Sequence, residues 1–237
     1  MSAKKNKKSF AGVFLFFLAA AIVFYGAART IESVSLAPSE ASLNVIGFGG
    51  NVSEEDLQAI IDARTGNFFI NDPARAASDF ALAKVMLAAQ TNDEAQQERF
   101  LGEAVTALEK SLSINPSNPY AWFRLAHVRN MLGAEGVEIT GALRMSFMTG
   151  PHEPRLVFTR IPLALAYFDQ FDETTESLFR HQIRYAWKKA DRQTAYLASS
   201  FGKQDYFLEV IAAADPDGAE RFQAYISFIE NTRNQGE

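Results

Sequence analysis

The stretch AVTALEKSLSINPSNPYAWFRL, residues 104–125, decides the fold. Upstream of Pro116, the residues Phe100, Ala104, Ala107, Leu108, Ser111 and Leu112 recur at steps of three and four, so they share one helical face. Pro116 ends that helix, because the residue before a proline is pushed out of the α region. Asn118-Pro119 then restarts it. The Asn side chain accepts from the first orphan backbone donors, and proline loses nothing at the first helical position. Trp122, Leu125, Ala126, Val128 and Leu132 carry the next face. Two amphipathic helices joined by so short a break must fold back on each other as a hairpin.

The same punctuation repeats outward. Ser53 with Asp56 resembles a capping box, followed by Leu57, Ile60 and Ile61 on one face and a stop at Gly66. Asn71-Asp72-Pro73 opens another helix, whose face is Ala76, Phe80, Ala83 and Leu87. The polar residues 91–97 read as a loop or a frayed helix start. Gly133 and Gly136 close the Trp122 helix, and a further helix is predicted over 137–148, broken by Gly150-Pro151. Residues 155–171 read as one apolar helix kinked at Pro162. Asp172 or Thr174 caps a helix whose stripe is Phe179, Ile183, Ala186, Trp187 and Ala190. Two shorter helices, over 203–214 and 218–232, are split by Asp215-Pro216-Asp217-Gly218. The tail 233–237 is expected to fray. No stretch alternates with period two, so the body is all-α.

Residues 104–125 resemble the junction between two tetratricopeptide (TPR) repeats. Ala104, Leu108, Ser111 and Pro116 fit the second helix of a unit and its stop, and Tyr120-Ala121-Trp122 with Leu125-Ala126 fits the next first helix. The likeness covers about 20 residues and loosens on both sides. It implies a TPR-like array of antiparallel helix pairs over 53–232, with two or three units and irregular flanks. A generic helical bundle is the alternative.

The N-terminal segment decides the layout. Lys4, Lys5, Lys7 and Lys8 precede an uncharged apolar run over 9–28, and Phe10 and Ala28 bound its apolar part. Twenty residues span about 30 Å as a helix, the thickness of a bilayer core. Four lysines before the run and Arg29 after it put the N-terminus in the cytoplasm and the body outside. Residues 1–8 are then a cytoplasmic basic tail, 9–28 a transmembrane anchor and 29–52 a linker. In that linker Pro38 and Ser39 interrupt the helix, and the Gly-rich residues 46–51 form a flexible connection. Cleavage after Gly26-Ala27-Ala28 as a signal peptide is the competing reading. An anchored, exported TPR-like body has the layout of cell-envelope assembly accessories, such as periplasmic chaperones of the translocon, cytochrome maturation adaptors and helpers of polysaccharide export. The resemblance implies an inner-membrane, periplasm-facing adaptor that binds a protein partner and needs no cofactor. A structural subunit of a polysaccharide-export or respiratory assembly is the second reading, and an envelope hydrolase with a spatially assembled site is the rival from another class.

Charge narrows the partner. The formal net charge of −5 divides into +4 over residues 1–28 and −9 over the rest. An acidic body is a poor nucleic-acid binder. The chain has no cysteine, which removes disulfides, thiolate nucleophiles and thiolate metal sites. Residues 144–192 nevertheless carry a net +2 between flanks of −7 (29–143) and −4 (193–237). There Arg180, Arg184 and Lys188 fall at i, i+4 and i+8 on one face, with His181, Lys189 and Arg192 beside it. This ridge is the candidate partner-binding surface, suited to an acidic partner helix, a charged glycan or lipid headgroups. A solvated face with Glu176 pairing Arg180 is the bland alternative. His127 reads as a packed or edge residue, His152 as a turn residue, and Trp122 and Trp187 as core. No catalytic or metal-binding motif stands out.

Overall fold

The structure, a computed structural model, describes residues 3–47, 50–65 and 72–235. No strand occurs among them. The elements are α1 (Ala3–Gly47), α2 (Glu54–Thr65), α3 (Pro73–Gln90), α4 (Glu94–Ile114), α5 (Pro119–Met131), α6 (Gly136–Thr149), α7 (Pro154–Ala166), a 3-10 turn (Phe168–Gln170), α8 (Glu173–Lys189), α9 (Asp191–Ser200), α10 (Gln204–Ala212) and α11 (Pro216–Gln235).

The deciding stretch folds as its pattern dictates. Asn118 Oδ1 accepts from the backbone N–H groups of Tyr120 and Ala121, with Pro119 at the first helical position. Ala104, Leu108, Ala121 and Ala126 are fully buried, so α4 and α5 meet closely. Ser111 is small enough for α3 to approach, and its hydroxyl donates to the Ala74 carbonyl at 2.7 Å. The most extensive helix contacts are α3 on α4 and α5 on α6, followed by α2 on α3 and α4 on α5. α7 packs on α8, and α9, α10 and α11 pack on one another at the far end. One core runs from Ala81 to Phe222, and a smaller one joins Leu57, Ile60, Ile61, Ala83 and Leu87.

Several caps match their sequence signals. Ser53 and Asp56 exchange side-chain and backbone bonds at the start of α2. Asp72 caps α3 and Asp172 caps α8. Gly133 and Gly202 take φ of 68° and 62°, each at the end of a helix. In both places paired bonds run back, Ala134 to Arg129 and Gly133 to Asn130, Lys203 to Ala198 and Gly202 to Ser199. That pairing closes a helix and needs a left-handed residue.

Other expectations are corrected. The 29–52 linker is not a linker over its first part, since α1 runs unbroken past position 38 to Gly47. Proline removes one hydrogen bond there. The helix beyond it is held from outside, with Ser39 buried and Leu43 and Ile46 packed on the smaller core. Residues 94–97 already belong to α4, because Asp93 accepts from the N–H groups of Ala95 and Gln96. Gly136 opens α6 instead of closing α5, and Gln170 occupies the place a side chain there would take. The predicted 155–171 helix ends at Ala166. Beyond it Phe168 and Phe171 turn inward around Phe179, and Tyr167 donates to Asn130 Oδ1 at 2.7 Å. α9 had no counterpart in the sequence reading. The tail expected to fray is helical to Gln235. Gly66, Asn71, Phe48, Gly49, Gly236 and Glu237 lie outside the described residues, as do the side chains of Lys4, Lys5, Lys7, Lys8 and Phe10.

The apolar part of α1 stands apart from the body. Its window Gly12–Ile31 is 20 residues long with none of it buried, and Phe16, Val23 and Phe24 are about 70 % exposed. One helix near the N-terminus is thus long and apolar enough to cross a membrane.

Candidate functional site

The sequence pointed to the outer face of α8, and the structure divides that face. Phe179, Ile183, Ala186 and Trp187 turn inward and fix the rotation of the helix. Arg180, Arg184 and Lys188 are therefore carried outward. Arg180 is already occupied. It binds Glu176 at 3.0 Å and Glu209 of α10 at 2.8 Å, and its guanidinium lies 4.9 Å from the Tyr206 ring centre. The bonds from Glu209 and Glu176 hold it charged well beyond the usual arginine range. It fastens α8 to α10, and the Glu176 pair expected of a bland helix face is present.

Arg184 and Lys188 have a different fate. With Lys189 they line an open cleft of about 630 Å³, closed on its other side by Ile211, Ala214, Asp215 and Arg221. Four cations face two carboxylates there, Asp191 and Asp215. Both carboxylates are spoken for. Asp215 accepts from the Gly218 N–H at the start of α11, from Trp187 Nε1 at 3.2 Å and from Arg221 at 3.2 Å, and these bonds hold its carboxyl below the usual range. Asp191 accepts from the Arg192 N–H and the Tyr225 hydroxyl. Among the described residues Arg184, Lys188 and Lys189 form no ion pair. Four cations against two carboxylates leave the cleft net positive, and a cleft of that sign attracts an anionic group.

Arg192 belongs to a neighbouring hollow. Its guanidinium lies 5.7 Å from the Tyr225 ring centre, on the edge of an apolar groove of about 560 Å³ between α9 and α11. Tyr196, Phe228 and Ile229 line the groove, and Tyr196 is 59 % and Phe228 69 % exposed. Cleft and groove are neighbours: Trp187 lines the one and Tyr225 the other, with ring centres 6.3 Å apart. Of the four residues singled out by sequence, Arg184 and Lys188 line one cleft, Arg192 lies at the neighbouring groove, and Arg180 is paired with Glu176 and Glu209. Lys189, read from sequence as lying beside the ridge, and Arg221, which sequence did not single out, complete the cleft.

Two histidines distant in sequence also meet. His181 Nε2 lies 3.0 Å from His152 Nε2, and Tyr185 donates to the His152 carbonyl. Burial, His152 and Arg184 all push the His181 imidazole toward its neutral form. His127 is exposed and stacks on Phe123, an edge position. Trp187 is buried as expected, whereas Trp122 is half-buried and donates to the Pro116 carbonyl. Arg160, fully buried, donates to the Ser146 and Gly150 carbonyls, to Ser146 Oγ and to Gln182. Burial lowers its pKa to about 10. It binds the Ser146 carbonyl in the last turn of α6 and the Gly150 carbonyl just beyond it, and is a structural cation. Among the described residues no three His, Asp or Glu side chains gather as a metal site.

No known family model, curated protein or solved structure matches this chain.

Proposed function

We propose that the chain is a single-pass inner-membrane protein whose body, held outside the cytoplasm, is a TPR-like adaptor that docks a protein partner during assembly of a cell-envelope complex. The observation that carries this reading is the division of α1. Its apolar half is bare, and its second half is locked to the body. Glu40 accepts from Arg64 at 2.7 Å and from Arg75 at 2.6 Å, and Asp79 accepts from Arg64 at 3.1 Å. Ser39 accepts a further bond from Arg64, and Leu43 packs beside α2. A helix that enters the membrane and is bolted to an array of helical hairpins holds that array at a set place above the bilayer. Confinement of that kind raises the effective concentration of a docking surface near a membrane complex. Hairpins that bury small residues at their contacts support the TPR-like reading, since such units gain their core by stacking.

Two measurements test it. A C-terminal reporter active only outside the cytoplasm is expected to give signal, and activity of a cytoplasmic reporter overturns the topology. Mild-detergent purification after crosslinking is expected to recover a defined membrane-complex partner. Recovery of the chain alone in both conditions overturns the adaptor reading.

A further inference from the structure

Resting on the adaptor reading, the geometry points to the class of partner: an acidic amphipathic helix that seats an aromatic or aliphatic residue in the α9–α11 groove and its carboxylates in the α8–α11 cleft. The groove is shaped by two ridges. Arg192 and Tyr196 stand one turn apart on α9, and Tyr225 and Ile229 one turn apart on α11, with Phe228 beside them. A channel between two helical ridges accepts a third helix, read through apolar anchors one turn apart. Exposed aromatics are costly to leave in water and are over-represented where partners bind.

The charge beside the groove selects the occupant. Arg184, Lys188 and Lys189 are exposed cations without an ion pair, one ring-to-ring step of 6.3 Å from the groove wall. A partner helix whose apolar anchor lies one or two turns, about 5–11 Å, from Asp or Glu side chains meets both features at once. Charge complementarity of this kind sets orientation and association rate. A lipid surface fits less well. The membrane helix joins the body through α2, whereas groove and cleft are built from α8 to α11.

The test uses the full chain in its membrane, with benzoylphenylalanine in place of Tyr196 or, separately, of Phe228, and sequencing of whatever peptide is photocrosslinked. Both positions are exposed, so the replacement leaves the fold intact. The expected product is a peptide of another protein, with at least two Asp or Glu within two turns of an aromatic or aliphatic residue. Its yield is expected to fall fivefold or more when Lys188→Glu and Lys189→Glu are added, with circular dichroism unchanged. A crosslink to a second copy of the chain overturns the proposal in favour of self-association, and a crosslink to lipid overturns it in favour of a membrane contact. A peptide without acids, or a yield indifferent to charge reversal, also overturns it. If the photocrosslinks fail while chemical crosslinking attaches a partner elsewhere, this site is wrong and the adaptor reading stands. If neither method finds a partner, both fall.

Discussion

The two ends of the body treat their charges in opposite ways. Where α1 joins α2 and α3, Arg64 is 3 % exposed and is saturated by Glu40, Asp79 and Ser39. Burial pushes the Asp79 carboxyl up, against the pull of Arg64 and Arg75, so this charge is worth holding only because its partners are in place. Where α8 meets α11, Arg184, Lys188 and Lys189 stand in a cleft whose two carboxylates are bound to other groups. The first arrangement is closed and specifies a joint between helices. The second is open and leaves its cations exposed to solvent. Number of charges alone does not separate the two, but the fate of each charge does.

The largest effect belongs to the closed end. Arg64→Ala takes the buried cation from Glu40 and Asp79 and leaves them only the exposed Arg75, so the loss is expected near the lower end of the about 3–5 kcal/mol that breaking a buried pair costs. Urea unfolding of the full chain in detergent measures it. A loss below about 1 kcal/mol, the range of exposed pairs, would mean that the joint is solvated and that α1 is not bolted to the body. A second pair of variants draws the same contrast in apolar residues. Phe207 is fully buried and Phe228 is 69 % exposed, although they sit on neighbouring helices. Phe207→Ala is expected to cost about 3–5 kcal/mol through the cavity it leaves. Phe228→Ala is expected to stay within about 0.5 kcal/mol, as surface positions do. Equal losses in thermal melts would show that the groove is part of the core.

What the sequence made legible follows from range. The α4–α5 hairpin could be read because its signals are local, namely the Ala104–Leu108–Ser111 spacing, Pro116 and the Asn118 cap. α1 beyond residue 28 could not, since the local cost of Pro38 is outweighed where Ser39 and Glu40 bond to, and Leu43 packs on, helices further along the chain. α9 was hidden for another reason. Its buried face is Thr194, Ala195, Ala198 and Ser199, too small and too polar to register as an apolar stripe until α11 lies over it. At the site, i, i+4 spacing placed Arg184 and Lys188 together. It gave no sign that Glu209, 29 residues away, takes up Arg180, or that Arg221 arrives from α11 to face them. The His152–His181 contact joins a turn to a helix across 29 residues, which no local spacing rule connects.

That histidine pair supplies a smaller test of the open end. Burial, His152 and Arg184 lower the His181 pKa, so its folded value lies below the unfolded value near 6.5. The stability linked to it is present above the unfolded pKa and is lost as pH falls through the folded one. His152→Gln removes the Coulombic push of the neighbouring ring on His181, so the His181 proton titration, followed by NMR in the full chain, is expected to move upward. No movement would show that the two rings do not interact in solution.

The smallest stability effect separates a helix-end role from a docking role for the cleft lysines. Lys188 and Lys189 occupy the last turn of α8, where cations complement the helix dipole. That role alone predicts a loss of about 0.3–1 kcal/mol for each on Lys→Gln substitution, screened away by salt. The docking reading adds a disproportion. Lys188→Gln with Lys189→Gln is expected to leave the unfolding midpoint nearly unchanged at 0.5 M salt, because the dipole interaction is screened there. At low salt it is expected to weaken partner binding at least tenfold, far more than so small a stability change can produce. If binding loss and stability loss track one another across the salt series, the lysines serve only the end of α8, and the cleft is a solvated helix face.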